Sequence, residues 1–383
     1  MRKTFPLPPG SIIGIMGGGQ LGRMTALAAT SMGYNCHIFS PQKDSPASQV
    51  AQKEIVANYD NIDALIDFAQ SVHVVTFEFE NIPLKSIRIL EKFTDVRPNG
   101  NCLRISQNRL LEKDFITSLG VSTAPYLAVN NLKELKEGLL SLGFPSVLKT
   151  TTLGYDGKGQ AIISDEHGMI SAWEEVSKFS NKTGAILEAL VDLALEVSVI
   201  IGRSSDGNKI AFPTVSNFHK DHILDLTYAP ADISIGLAHK AEQIAVKIAD
   251  ALDIIGILAV EMFITRNSGS NSIGDDSEIL VNEIAPRPHN SGHWTMDSCI
   301  TSQFEQFVRT IVGLPMGSVQ RHCDVIMRNL IGKDSESWLS ILQDSNAKLH
   351  IYGKSTVRPG RKMGHVNHIF PIGELPNPSK FTE

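Results

Sequence analysis

The sequence predicts a mixed fold, an α/β opening of Rossmann-like type followed by an α+β remainder rich in hairpins, divided into two or three domains. Three observations predict it. Residues 11–16 (SIIGIM) read as a buried strand, Gly17 to Gly19 as a turn, and residues 20–32 carry apolar side chains at helical spacing. Residues 257–265 (ILAVEMFIT) and 278–293 (EILVNEIAPRPHNSGH) flank a loop of Ser, Asn, Gly and Asp, which is the pattern of a hairpin. The chain has 383 residues, 42% hydrophobic and 20% charged, enough for a sizeable core shared among domains.

In the opening segment Gly17, Gly19 and Gly22 satisfy GxGxxG, in which glycines let a backbone approach a pyrophosphate. The acidic residue that would hold a dinucleotide's ribose is missing, because the next strand, residues 35–39, runs into Ser40 and Pro41. The turn therefore reads as an anion or ligand-approach loop, not as an NAD site. Residues 61–70 read as a helix and 72–79 (VHVVTFEF) as a buried strand ending in Glu78, with Glu80 just beyond. Ligands of open α/β sheets sit at the carboxyl ends of strands, so both carboxylates are placed to touch one. For Glu80 a helix cap ahead of Pro83 is the competing reading.

Residues 102–119 form a basic helical stretch that contains Arg109, residues 132–142 a helix, and FPSVLKT a strand that carries Lys149. A lysine within an apolar strand is costly unless its ammonium meets an anion. TTLGYDGKGQ, residues 151–160, follows directly. Gly154, Gly157 and Gly159 give it bare backbone and Lys158 a charge, which suits a flap over phosphates; a plain glycine hairpin is the alternative. It is not a Walker A loop. Residues 185–190 (AILEAL) read as a strand with Glu188 near its end, and the next strand carries Glu196. His219 and His222 lie in a polar turn without zinc-motif spacing, and residues 234–252 form an amphipathic helix.

In the hairpin the simplest register pairs Thr265 with Ile279 and sets Glu261 opposite Glu283. Facing carboxylates in apolar strands are destabilising unless a cation lies between them, and Mg²⁺ accepts one or two carboxylates with phosphates completing its shell. Arg287, His289, Asn290, Ser291 and His293 follow within a Pro-broken loop. Near the C-terminus YGKSTVRPGRKMGH sets Lys354, Arg361 and Lys362 in a Gly- and Pro-rich segment, read as an oxyanion clamp. A formal net charge of −6 argues against nucleic acid as the main partner. Four scattered cysteines suggest neither a disulfide framework nor zinc and fit a reducing cytosol, and neither a membrane span nor a signal peptide is expected.

GGGQLGRM, TFEFEN, GYDGKGQ, VNEIAPRPHNSGHWT and VRPGRKMGH together resemble the N-carboxyaminoimidazole ribonucleotide synthetases of purine biosynthesis, within the ATP-grasp superfamily. The resemblance spans nearly the whole chain. It implies a Rossmann-like domain (1–107), an ATP-grasp domain (108–318) whose lid covers about 120–190, a small C-terminal domain (319–383), and a cytoplasmic homodimer. It also implies that ATP, bicarbonate and 5-aminoimidazole ribonucleotide react through carboxyphosphate, with Mg²⁺ and without biotin. ATP contacts would be Arg109, Lys149, residues 154–160 (Gly154, Tyr155, Asp156, Gly157, Lys158, Gly159, Gln160), Glu188, Ala189, Leu190, Val191, Glu196, His219, Asn282 and Glu283. Glu261 and Glu283 would hold Mg²⁺. Arg287, His289 and Lys354 would hold bicarbonate and carboxyphosphate. Tyr155, Asp156 and one of Glu78 or Glu80 would face the aminoimidazole, with Asn290 and Ser291 also on the substrate side, and Gln20, Arg361 and Lys362 at the ribose phosphate. Where many ATP-grasp enzymes place Asn two residues after the second glutamate, this chain has Ala285. A formate-dependent ribonucleotide ligase of the same superfamily is the alternative, and APRPHNSGHWT with RPGRKMGH favours bicarbonate.

Overall fold

The computed structural model describes residues 4–152, 158–179, 184–266 and 273–377. Strands β1 (Ile12–Met16), β2 (Asn35–Ser40), β3 (Lys53–Val56), β4 (Val74–Phe77) and β5 (Asp95–Val96) form a parallel sheet in the order β3-β2-β1-β4-β5. The chain thus reverses direction across the sheet between β1 and β4, and the crevice of such a sheet lies there. The glycine turn after β1 and the Glu78–Glu80 segment after β4 meet at that point.

The basic stretch expected as one helix is two, Gly100–Ser106 and Arg109–Ser118. The break has a cause on each side. Gln107 turns its amide to the carbonyls of Glu80 and Ile82, both at 2.6 Å, and the Asn108 side chain caps a new helix by accepting from Leu110 N and Leu111 N. Arg109 becomes the first residue of the second helix.

Strands β6 (Tyr126–Val129), β7 (Ser146–Thr150), β8 (Gln160–Ile163) and β9 (Ala185–Ala189) make a four-stranded antiparallel sheet, order β6-β9-β7-β8. Alternation sorts its faces. Leu148, Ile163, Ala185 and Leu187 pack on the helices Leu132–Leu142 and Met169–Phe179, whereas Val147, Lys149, Gln160 and Glu188 face the opposite way.

The third sheet holds nine strands among the described residues: β10 (Leu193–Arg203), β11 (Lys209–Ala211), β12 (Val215–Lys220), β13 (Ile223–Ala229), β14 (Gly256–Thr265), β15 (Ile279–Ala285), β16 (Asp324–Ile331), β17 (Ala347–Ile351) and β18 (Lys362–Phe370). Its path is β15-β14-β10-β12-β13-β16-β18-β17, with β11 beside β10. The polar turn around His219 is a hairpin tip, in which Asp221 and His222 take positive φ of 51° and 64° to match the strand twist. One face buries Val197, Val199, Leu258, Val260 and Met262 under the helix Ile235–Ala251. On the other, Ile200, Ile257 and Ala259 share a core with Phe307 and Val308 of the helix Gln303–Val312 and with Ile13, Ile15 and Ala29 of the opening domain.

Between β15 and the C-terminal strands, the His365 ring lies 4.8 Å from that of His293 and 4.5 Å from that of His350, and the Tyr352 hydroxyl is 2.9 Å from His365 Nδ1. Burial, reinforced by neighbouring positive groups, holds His293 and His365 well below the ordinary histidine range. A base with a depressed folded pKa binds fewer protons folded than unfolded once the pH falls below its unfolded value. Stability is therefore unaffected above about pH 6.5 and lost progressively below it, with a slope of about 1.4 kcal/mol per pH unit for each histidine. Denaturant titrations from neutral to mildly acidic pH should show this slope, and His293→Asn should reduce it; a flat profile would contradict the burial argument.

Candidate active site

The predicted hairpin is β14–β15, and Glu261 stands opposite Glu283 as the sequence suggested. The ladder is not uniform. Ile264, not Thr265, pairs with Ile279, and the register shifts between Glu261 and Met262 because Asn282 is an extra residue on β15. This bulge explains why two neighbours, Asn282 and Glu283, both line the same cavity, which a regular strand forbids.

The cavity has a volume of about 820 Å³ and lies between the four-stranded sheet, the β10–β15 region and the crevice of the parallel sheet. The structure brings most of the expected residues to it. Gln20, Glu78 and Glu80 come from the opening domain; Arg109, Lys149, Lys158, Gln160, Glu188, Ala189, Leu190 and Val191 from the second; Glu196, His219, Glu261, Asn282, Glu283, Arg287, His289, Asn290 and Lys362 from the large sheet and its loops. Gly159 lies behind the wall, at φ +74°, with its carbonyl accepting from Thr150 N. Gly154, Tyr155, Asp156 and Gly157 lie outside the described residues. Ser291 is fully buried beneath the loop, and Lys354 donates to the Lys362 carbonyl at 2.6 Å. Arg361 is not brought to the cavity: its guanidinium donates to the Thr356 carbonyl at 2.8 Å, closing its own loop.

Five of the cavity's carboxylates meet a basic side chain. Glu283 pairs with Arg109 at 3.1 Å, Glu261 with His289 Nε2 at 2.9 Å, Glu188 with Lys149 at 2.9 Å and Glu196 with His219 Nδ1 at 2.6 Å. Glu80 pairs with Arg287, so it is no helix cap, and the helix Leu84–Leu90 has no capping side chain. Burial would raise the Glu261 carboxyl, but His289, His219 and Lys362 more than offset it and hold it below the usual range. The same opposition, with Arg287 prevailing over burial, holds Glu80 low.

Glu78 has a different task. Its carboxylate accepts from Gly19 N and, at 2.8 Å, from Gly22 N, at the start of the helix Gln20–Ser31. A Cβ at Gly17 or Gly19 would come within 2.5 or 2.6 Å of the Glu78 side chain, so the glycines make room for this carboxylate. The turn expected to approach an anion thus approaches one supplied by the chain. It fills the place a dinucleotide would give its pyrophosphate, which argues against an NAD site on physical grounds.

Two neighbours escaped the sequence reading. Glu112 lines the cavity, accepts from Ile284 N at 2.7 Å and is raised to about 8 by burial and by the Glu283 charge. Lys113, also buried, reaches to 3.6 Å from Glu188, and burial lowers its pKa. Consecutive charged residues in a helix normally read as a solvated face, and no local signal contradicts that reading here.

These residues fit a magnesium nucleotide. Glu188 Oε1 and Lys113 Nζ are buried with no hydrogen-bond partner among the described residues, and Lys149 and Lys158 supply positive charge beside them. Among the described residues no three metal-ligating side chains cluster. The pair Glu261 and Glu283 alone suits a hard cation that shares its remaining positions with phosphates.

Comparison with known proteins agrees with this geometry. Residues 11–107 match the ribonucleotide synthetase preATP-grasp domain, 114–304 the ATP-grasp domain, and 325–371 the phosphoribosylaminoimidazole carboxylase C-terminal domain. The N5-carboxyaminoimidazole ribonucleotide synthase of Brucella melitensis biotype 1 is 45% identical, over 97% of this chain and 99% of its own. A bifunctional purine synthesis protein of Dictyostelium discoideum is also 45% identical, over 95% of this chain, which spans only 37% of that longer protein. An N5-carboxyaminoimidazole ribonucleotide synthetase solved as its ADP complex superposes with a TM-score of 0.88 at 44% identity, covering 95% of this chain and 93% of the other. The Aspergillus clavatus synthase, solved with ADP and 5-aminoimidazole ribonucleotide, superposes at 0.86 and 28% identity, covering 95% and 94%. From its three matched segments, its cavity and these relatives, the chain belongs to the N5-carboxyaminoimidazole ribonucleotide synthases, ATP-dependent ligases of the ATP-grasp superfamily.

Proposed function

We propose that the chain carboxylates 5-aminoimidazole ribonucleotide with bicarbonate at the expense of ATP, through carboxyphosphate, giving N5-carboxyaminoimidazole ribonucleotide, ADP and phosphate in purine biosynthesis. The observation that carries this reading is the facing pair Glu261 and Glu283, with Arg287 and His289 presented by the next loop over the same cavity. Lys149, Lys158 and Arg109 hold the nucleotide's phosphates, and the edge Glu188 to Val191 holds its base. Glu261 and Glu283 would hold Mg²⁺, which would neutralise phosphate charge. Arg287 and His289 donate to bicarbonate and to the carboxyphosphate that forms when its oxygen displaces ADP from the γ-phosphorus, where negative charge accumulates. Lys354 adds positive charge from the C-terminal side, close enough to act on Glu78. Gln20 and Lys362 border the end of the cavity suited to the ribonucleotide's phosphate. No biotin carrier enters this scheme. The working form is a cytoplasmic homodimer; no described helix is long and apolar enough to cross a membrane.

The test is phosphate release from ATP and Mg²⁺ with bicarbonate, with and without 5-aminoimidazole ribonucleotide, following the acid-labile product. Strong stimulation by the nucleotide, with product in equal amount, is expected. Release only with formate and another ribonucleotide would transfer the chain to the formate-dependent ligases.

A further inference from the structure

Beneath the reactive loop runs a file of polar side chains in a place where apolar ones would pack at less cost. Thr227, Ser198 and Ser291 are fully buried and Asn217 is 5% exposed. Thr227 Oγ1 lies 2.9 Å from Asn217 Oδ1, Asn217 Nδ2 2.9 Å from Ser198 Oγ, and Ser198 Oγ 2.7 Å from Ser291 Oγ. Ser291 Oγ lies 2.9 Å from His289 Nδ1, and the other ring nitrogen faces Glu261. A buried polar chain stabilises only if every member is satisfied, and it then fixes a unique arrangement.

The direction of every bond follows from one group. The backbone N–H of Ser291 points at His289 Nδ1, 3.3 Å away, and a backbone N–H can only donate. Nδ1 is therefore an acceptor. The Ser291 hydroxyl then gives its single proton to Nδ1, so Ser198 must donate to Ser291. Asn217 must in turn donate to Ser198 through its NH₂ and receive from Thr227 on its oxygen. The imidazole is left with its hydrogen on Nε2, which lies 2.9 Å from Glu261 Oε1 at the cavity wall. A second contact fixes the backbone: Gln303 Oε1 accepts from His289 N at 2.9 Å while Gln303 Nε2 donates to His289 O at 2.7 Å.

We propose that Ser291, Ser198, Asn217 and Thr227 are positioning residues that, together with the Ser291 N–H, hold His289 as the Nε2–H tautomer, a donor directed at Glu261 and at an anionic oxygen of bicarbonate or carboxyphosphate bound beside it. The proposal rests on the reading of His289 given above. The opposite tautomer would turn a lone pair toward the Glu261 carboxylate and toward the incoming anion, which repels both. The file reaches from the cavity through β10 and β12 to β13, so a residue remote from the substrate governs the polarity of one that touches it.

Asn217→Asp tests it, because the side chain keeps its shape but can no longer donate to Ser198. The ring nitrogens of His289, assigned by their loss in His289→Gln, are followed by ¹⁵N NMR in the full-length protein at about pH 8, above the ordinary histidine range. Wild type should show hydrogen on Nε2. Asn217→Asp should lose that single-tautomer signature and reduce kcat by about 10-fold to 100-fold. KM for ATP should stay within about twofold, since the nucleotide contacts are untouched. Ser291→Ala, which removes the hydroxyl donor to Nδ1, should give the same pattern and replaces Asn217→Asp if that variant does not fold. Hydrogen on Nδ1 in wild type, or variants with unchanged spectrum and kcat, would overturn the proposal. Wild-type turnover in His289→Gln would instead overturn the reading of His289 on which it rests.

Discussion

Glu283→Gln should abolish most turnover, by at least about 100-fold in kcat, while the protein melts near the wild-type temperature. The substitution is isosteric and leaves an oxygen for Arg109, so the local packing survives. What it removes is half of the charge opposing the cation. Glu261 remains, but one carboxylate with its own histidine partner is a poor anchor for a divalent ion whose second protein ligand has become neutral. The deficit should be partly recovered at high Mg²⁺, a response that a simple folding defect would not give. Near-normal phosphate release at low Mg²⁺ would sink the assignment of the β14–β15 pair as a metal platform.

Arg287→Ala should separate binding from chemistry. The guanidinium is not among the groups placed on the nucleotide, so the affinity for ATP should hold, while bicarbonate-dependent phosphate release should fall by about 10²- to 10³-fold. The variant also strands Glu80, whose carboxyl is pushed up by burial and held down by Arg287. A carboxylate with a depressed folded pKa contributes stability that is present above its unfolded value and lost as the pH falls through the folded one. Wild type should therefore lose this contribution in acid, and Arg287→Ala should lack it already at neutral pH. Arg287→Lys keeps the charge without the planar fork, and should restore stability better than rate. A selective loss of ATP affinity would show that the arginine belongs to the nucleotide site instead.

What the sequence disclosed was whatever is local. The strand, glycine turn and helix at the start, the helix Leu132–Leu142 and the hairpin of Glu261 and Glu283 are each written in one continuous stretch. Lys149 was recognisable because a charge inside an apolar strand is anomalous wherever it occurs. What stayed hidden depends on partners far along the chain. Gln107 breaks a helix because carbonyls of the Glu80–Ile82 segment accept its amide. Glu78 caps a helix 56 residues before it. Glu112 is buried because β15 offers it an unpaired N–H from an edge strand. The bulge at Asn282 moves the pairing by one residue over half of the hairpin, and alternation of hydrophobic residues is nearly blind to so small a slip. That the Arg361 guanidinium turns back onto its own loop was hidden for the same reason: a basic loop announces its charge, not the direction in which each side chain turns.

The pairing of β13 with β16 has a consequence for how the molecule comes apart. Two segments that match separate families are stitched into one hydrogen-bonded sheet, so a boundary in ancestry is no boundary in folding. A fragment ending before β16 would bare the whole flank of β13, an invitation to sticking between molecules. Amides on both sides of the seam should exchange with solvent through the same rare opening. The four-stranded sheet, sealed by its own core, should open by itself at lower cost, giving the molecule one stiff jaw and one that can move.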